Sequence, residues 1–213
     1  MVRRSRDDAV ATRGRILASA QQLMRQRGVH CVTLDDVARA IGMTRGAVYA
    51  HFRSRAALMG ALLSCAEADL ADRLAPLAAR HHAGAATDLL EPALAALLDG
   101  DDGDGMARHV SLLAFLLQHK CGTACELCPL RARVLRGADT LRNALAVRMA
   151  EPAQAGLLVA HLWGLLSAHA LQLAPSGLSG CAASLARLYA APGMQRGACP
   201  GGAGGPAFPR DTP

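Results

Sequence analysis

The sequence predicts an all-α protein: an amino-terminal three-helix helix-turn-helix domain followed by a larger helical domain. Three observations carry this. Hydrophobic residues make up 52% of the chain but aromatic residues only 3%, so the core must be built from Leu, Ala, Val and Met, which favour packed helices over sheets. Charged residues reach 19%, which fits a globular chain and not a disordered one. Apolar residues recur at three- and four-residue spacing, with Gly, Thr and Pro placed where helices must start or stop.

Residues 13–27 read as the first amphipathic helix, with Ile16, Leu17, Ala20, Leu23 and Met24 on one face and Gly28 as its stop. Thr33-Leu34-Asp35-Asp36 is a capping-box variant, with Asp in place of the usual Glu or Gln. It opens a short helix whose Leu34, Val37 and Ile41 share a face. Gly42-Met43 makes a turn, Thr44 caps the next short helix, and Val48 and Phe52 anchor that helix from one side. A long helix follows from Arg55 to about Ala79, with Leu58, Leu62, Leu70, Leu74 and Leu77 inward and Pro76 placed to kink or end it. His81–Thr87 is a connector. Further helices are expected at about 88–99, 106–120, 123–149, 153–173 and 178–191. Asp99–Gly105 is a solvated acidic loop that lacks the closing Glu of a calcium loop. The organisation is therefore residues 1–54, 55–191 and a tail at 192–213. The tail holds 6 Gly and 5 Pro in 22 residues and is expected to be disordered.

Charge separates the two parts. Residues 1–55 carry 11 Arg against 4 Asp, a net of +7, and the remainder nets −1. A basic head on a near-neutral body points to a polyanion partner for the head, or to a merely solvated basic surface. The opening residues have no apolar stretch of the kind that directs export, and Leu157–Leu173 is too short and too interrupted for a membrane span. A cytoplasmic location with no membrane partner is expected, and the seven cysteines as reduced thiols.

Two short helices joined by a tight Gly-containing turn, behind a longer first helix, form the helix-turn-helix pattern. Its second helix enters the major groove of double-stranded DNA. Arg45 can contact guanine or clamp a phosphate, and Thr44 can cap the helix and donate to a phosphate. Gly46 and Ala47 let the backbone approach. Tyr49 and His51 either reach the sugar-phosphate chain or brace the three-helix unit. Arg53 and Arg55 lie just beyond the helix, Thr33 caps the preceding one, and Arg4, on a flexible basic start, can reach an adjacent minor groove.

The segment Thr12–Leu63 resembles the amino-terminal domain of TetR-family transcription regulators, most closely from Thr33 through Thr44-Arg45-Gly46-Ala47-Val48-Tyr49 to His51-Phe52. Leu112–Val134 and Trp163-Gly164-Leu165-Leu166 resemble the ligand domain of AcrR-type repressors of multidrug efflux pumps. The resemblance implies a ligand-responsive repressor that binds a near-palindromic operator as a homodimer through its last two helices. A small-molecule effector would then release it, a small hydrophobic compound on this likeness, with an efflux pump as a target. No cofactor is implied. Apolar faces on Leu157–Leu173 and Leu178–Tyr189, with small residues Gly164, Ser167 and Ala168, support such pairing. The pocket lining expected from family architecture and helical phase is Leu62, Ala66, Leu94, Leu97, His109, Leu113, Leu116, Cys121, Cys125 and Trp163.

His119-Lys120-Cys121 and Cys125-Glu126-Leu127-Cys128 form the second informative stretch. If helical, Cys121, Cys125 and Cys128 lie on one face. Three readings stay open: small thiols lining a helix contact or pocket, a redox switch, or a site for arsenic(III), mercury(II) or zinc with His119 as a fourth ligand. His161 and His169 read as core, interface or pocket-edge histidines, and His81-His82 as solvated. No nucleophile motif, phosphate-binding loop or paired-carboxylate pattern supports an enzyme. A non-specific architectural DNA binder is the remaining alternative, and predicts affinity set by phosphates alone.

Overall fold

In the computed structural model, which describes residues 2–79, 89–98, 105–121, 125–173 and 178–190, the described residues form nine α-helices and no strand. Helices α1 (Val2–Arg27), α2 (Leu34–Ala40) and α3 (Arg45–His51) make the head. The long α4 (Arg55–Ala79) runs from it into a body of α5 (Leu90–Leu98), α6 (Val110–Gln118), α7 (Cys128–Ala146), α8 (Ala155–Ala170) and α9 (Ser179–Ala190). The connector at His81–Thr87, the acidic stretch at 99–104 and the tail at 192–213 lie outside the described residues.

The head folds as its sequence dictates. Ile16, Leu17, Ala20, Leu23 and Met24 are all buried. Gly28 then takes a φ of 83°, a value that suits glycine and lets the chain turn sharply out of α1. Thr33 completes the capping box: its backbone N–H donates to Asp36 Oδ2 at 3.0 Å while Asp36 N–H donates to Thr33 Oγ1 at 3.2 Å. The Thr33 hydroxyl also donates to Asp36 Oδ2 at 2.6 Å, and this bond first, with that from the Thr33 N–H, lowers the Asp36 pKa from its ordinary value. Thr44 Oγ1 accepts from Ala47 N–H at 3.2 Å and caps α3. Val48 and Phe52, four residues apart, are both buried and fix α3 to the head.

Two expected helix starts are corrected, and the bounds expected for the long helix hold. The first helix begins at Val2, so the basic start is the opening of α1 and not a flexible arm. Residues 2–12 contain no Gly or Pro to stop a helix, and Ala and Arg favour one. Helix α4 passes through Pro76 and runs to Ala79. Helix α7 begins at Cys128 instead of residue 123. Pro129 sits in its first turn, where the missing N–H costs nothing.

Two apolar clusters form. One unites the head with Leu58, Met59, Leu62 and Leu63 of α4, Leu112 and Leu116 of α6, and Leu130 and Val134 of α7. The other joins α5, α8 and α9 around Leu94, Leu98, Leu158 and Leu185. Helices α6 and α7 thus belong to the head's core and to the body's wall at once. Among the described residues, no helix is long and apolar enough to cross a membrane.

Candidate functional site

Helix α3 presents Arg45 and Gly46 to solvent, with Ala47, Tyr49 and His51 half-buried beside them. The Arg45 guanidinium pairs with Asp35 of α2 at 3.0 Å and lies 5.3 Å from the centre of the Tyr49 ring. It remains 70% exposed. An exposed pair of this kind is screened by solvent and contributes little to stability, so it orients Arg45 without committing it. A Cβ at Gly46 would meet nothing within 4 Å, which leaves a shallow approach to the helix start. Arg53 is exposed just beyond α3, and Arg13 of α1 sits 4.9 Å above the Phe52 ring. Arg4 rides on the first turns of α1. Thr33 and Thr44 accept the cap bonds described above through their hydroxyl oxygens, which leaves the Thr44 O–H able to donate.

Arg55 departs from expectation. Its Nε donates to Val32 O at 3.0 Å, its Nη2 donates to Val29 O, and the guanidinium lies 5.5 Å from the Phe115 ring. Burial lowers its pKa. The side chain is turned inward onto carbonyls of the turn after α1. It is a brace between head and body, not a phosphate contact.

Two further links cross this junction. Ser54, which also caps α4 through Ala57 N–H, donates to Glu126 Oε2 at 3.1 Å. Gln21 of α1 donates to Arg108 O and lies 3.3 Å from His109 Nδ1. His109 Nε2 is 3.0 Å from Asp69 Oδ2. Arg108 Nε also donates to His109 Nε2 at 3.2 Å, and the role of each ring nitrogen toward Asp69 and Gln21 follows from the tautomer. Asp69 also accepts from Arg73 and Arg108 at 2.9 and 2.8 Å. Burial pushes the Asp69 carboxyl up, but these donors outweigh it and hold it below its ordinary value. Burial holds the His109 imidazole below its ordinary value too, and Asp69 only partly offsets that.

A cavity of about 140 Å³ lies in the body, walled by α4, α5, α6, α7 and α8. Of the expected lining, Ala66, Leu97, Leu113 and Trp163 are on its wall. Leu94 and Leu116 are fully buried in the two cores. Leu62 and His109 border a separate small recess with Gln21. Cys121 and Cys125 are not on the wall. The reason is phase: on α6, Leu113 and Leu117 share the cavity face, while Leu112 and Leu116 share the face toward the head. Sequence reasoning named none of the α7 residues on this wall, among them Arg133, Gly137, Ala138 and Leu141. A glycine followed by alanine inside a long helix was the available signal. Arg133 Nε donates to Glu67 Oε1 at 3.0 Å, so the charges on the wall are paired.

The cysteines are not arranged as a helical face. Between Gln118 and Cys128 the described residues are not helical. The chain nevertheless brings one donor atom from each of His119, Cys121, Cys125 and Cys128 within 4.8 Å of one another.

Residues 16–62 match the family model for bacterial regulatory proteins, tetR family. The probable HTH-type transcriptional regulator ArpR of Pseudomonas putida is 29% identical over 168 residues, covering 76% of this chain and 75% of that protein. The solved structure of the multidrug binding protein EbrR complexed with imidazole is similar with a TM-score of 0.56 and 26% identity, over 85% of this chain and 97% of that one. NalD, the secondary repressor of the MexAB-OprM multidrug efflux pump in Pseudomonas aeruginosa, is similar with a TM-score of 0.56 and 25% identity, over 85% of this chain and 94% of that one.

Proposed function

The chain belongs to the TetR family of transcriptional regulators, and on that premise we propose that it is a homodimeric repressor released from its operator by a compact apolar effector. The observation that carries this is the cavity, whose wall helices α6 and α7 also form part of the head's core. A void of about 140 Å³ is close to the ~150 Å³ apolar cavity that accepts benzene. It suits a one-ring hydrophobic compound, with the Glu67–Arg133 pair as a polar contact at the wall. A ligand that fits better when α6 and α7 shift favours that state by its differential affinity, and ~1.4 kcal/mol of coupling weakens operator binding tenfold.

Each head offers Arg45 to a base edge and Thr44, Tyr49, His51 and Arg53 to the sugar-phosphate chain. Two heads roughly 34–36 Å apart fit half-sites one turn apart. Helices α8 and α9 supply the dimer contact. Leu157, Leu171 and Leu188 are 63%, 68% and 62% exposed, and Leu157, Ala160, Gly164, Ala168 and Leu171 follow helical spacing along one strip. NalD represses a multidrug efflux pump, and for this chain we propose the same type of target.

Trp163 is the sole tryptophan and sits on the cavity wall, so its emission tests the reading. Toluene should quench it saturably and release operator DNA over the same concentrations. Gly137→Leu should remove both responses and leave operator binding intact, since a Cβ there meets nothing within 4 Å. Release by toluene in the Gly137→Leu protein, or release without any change at Trp163, would place the effector elsewhere.

A further inference from the structure

Helix α6 ends in a cap that leaves the helical path: His119 has a ψ of 117° while its N–H donates to Leu116 O. Nine residues later α7 begins at Cys128. Just before it the chain folds into a tight turn in which Cys128 N–H donates to Cys125 O at 3.2 Å. That turn sets Cys125 Sγ and Cys128 Sγ 3.5 Å apart. The separation is far longer than a disulfide bond of ~2.05 Å. It is close to the ~3.8 Å edge of a tetrahedron of thiolates placed ~2.3 Å from zinc. His119 Nε2 lies 3.1 Å from Cys125 Sγ, and Cys121 brings the fourth donor into the 4.8 Å group.

Packing does not account for this arrangement. Cys121 is exposed, His119, Cys125 and Cys128 are half-buried, and none of the four belongs to either apolar core. Cys31, Cys65 and Cys181 lie outside the cluster, which is the one such donor group among the described residues. Three sulfurs and an imidazole, half-shielded but reachable, form the donor set preferred by thiophilic divalent ions.

We propose that His119, Cys121, Cys125 and Cys128 bind a thiophilic d10 divalent cation, zinc(II) or its heavier congeners, which clamps the end of α6 to the start of α7. Binding replaces three S–H bonds with three metal–thiolate bonds. Three protons leave to solvent, the neutral imidazole donates a lone pair, and no electron is transferred. The dication and three thiolates together carry one net negative charge.

The clamp also reaches the head. Glu126 lies inside the Cys125–Cys128 turn and accepts from Ser54 Oγ at 3.1 Å. Ser54 starts α4 immediately after the reading helix. Tightening the turn around an ion moves Glu126, and Ser54 with it. This coupling to DNA rests on the repressor reading; the metal site does not.

The test starts from the full chain, reduced and stripped of metal, titrated with cobalt(II) and then zinc(II). One ion per chain is expected, with the intense visible bands of tetrahedral cobalt, release of up to three protons per ion, and displacement by zinc. Cys125→Ser combined with Cys128→Ser should abolish binding, and His119→Ala should weaken it at least tenfold. Cys31→Ser combined with Cys65→Ser should change nothing. In the wild-type protein, zinc should protect Cys121, Cys125 and Cys128 from alkylation but leave Cys31 and Cys65 open, which does not depend on any variant folding. Substoichiometric or octahedral cobalt, arsenite binding without zinc binding, or an unaffected His119→Ala protein overturns the four-donor site. In a parallel operator titration, zinc should change affinity at least fivefold. Tight zinc with unchanged DNA affinity overturns the coupling alone. Absence of operator binding in every metal state counts against the repressor reading and leaves the metal site standing.

Discussion

Helices α3 and α8 each bury one side and leave the other uncovered, but the uncovered sides differ in kind. On α3 the buried side is Val48, and the open side carries Arg45 and Gly46 with Tyr49 and His51 at its edge. On α8 the buried side is Ala155, Leu158 and Leu162, and the open side is Leu157, Ala160, His161 and Gly164. A polar open face on a packed helix fits a charged partner. An apolar one made of small residues and leucines fits another helix at close range. On the proposed reading, the head presents a surface for DNA, whereas the body presents a surface for a second copy of the chain.

The largest test of this contrast removes the apolar contact. Gly164 has open space around its Cβ direction within its own chain, so Gly164→Arg leaves the subunit fold intact and places a charge in the middle of the strip. Monomers are expected by light scattering, with operator affinity falling ~100-fold or more as two-headed binding is lost. A variant that remains dimeric would move the dimer contact away from α8.

Next comes a comparison of two arginines ten residues apart. Arg45→Ala should cost ~1–3 kcal/mol of operator binding and relax sequence preference. Its effect on folding should be too small to shift the urea midpoint, because it removes only an exposed pair. Arg55→Ala should do the reverse. It removes the Arg55 donor to Val32 O and one of the two donors to Val29 O, so unfolding free energy should fall by ~2 kcal/mol, with sequence preference unchanged. Urea denaturation and operator titration of both variants decide the matter. Matching profiles would erase the distinction between a reading residue and a brace.

That pair also shows where sequence reasoning runs out. The five core positions of α1, the Thr33 capping box, the Thr44 cap and the Val48–Phe52 anchor were all legible, because each signal is contained within one or two turns of helix. Arg55 was not, because its partners are carbonyls of a turn more than twenty residues earlier. The cavity was half legible for a related reason. Helix α6 is almost wholly apolar, so nothing in its sequence decides whether Leu113 or Leu116 faces the hollow. Gly137 and Ala138 are on the wall of the hollow, on a helix whose neighbours only tertiary packing selects. The cysteines were expected to meet along a helix; they meet because a turn ahead of Pro129 folds them together.

The smallest effect concerns the junction at His109, which has the head-side Gln21 at Nδ1 and Asp69, itself bonded to Arg73 and Arg108, at Nε2. Burial depresses the His109 pKa, and the nearby Arg108 and Arg73 add to that while Asp69 opposes it. Below the ordinary histidine value of ~6.5 the unfolded chain therefore takes up a proton that the folded one resists. Stability is full above that pH and falls as pH drops through it, with a slope of at most ~1.4 kcal/mol per pH unit, until the folded protein also protonates. Asp69 acts in a separate window. Its pKa is lowered on folding, so its contribution is present above ~3.9 and is lost only as pH falls further. Thermal unfolding between pH 8 and pH 5 should show a decline in the wild-type protein that flattens in His109→Gln, which keeps hydrogen-bonding capacity but cannot titrate. An equal decline in both proteins would assign the pH sensitivity to other histidines and reduce His109 to a packing residue. A flattened one would show that the link between head and body loosens in mild acid, in the part of the molecule where neither the polar face of α3 nor the apolar face of α8 is engaged.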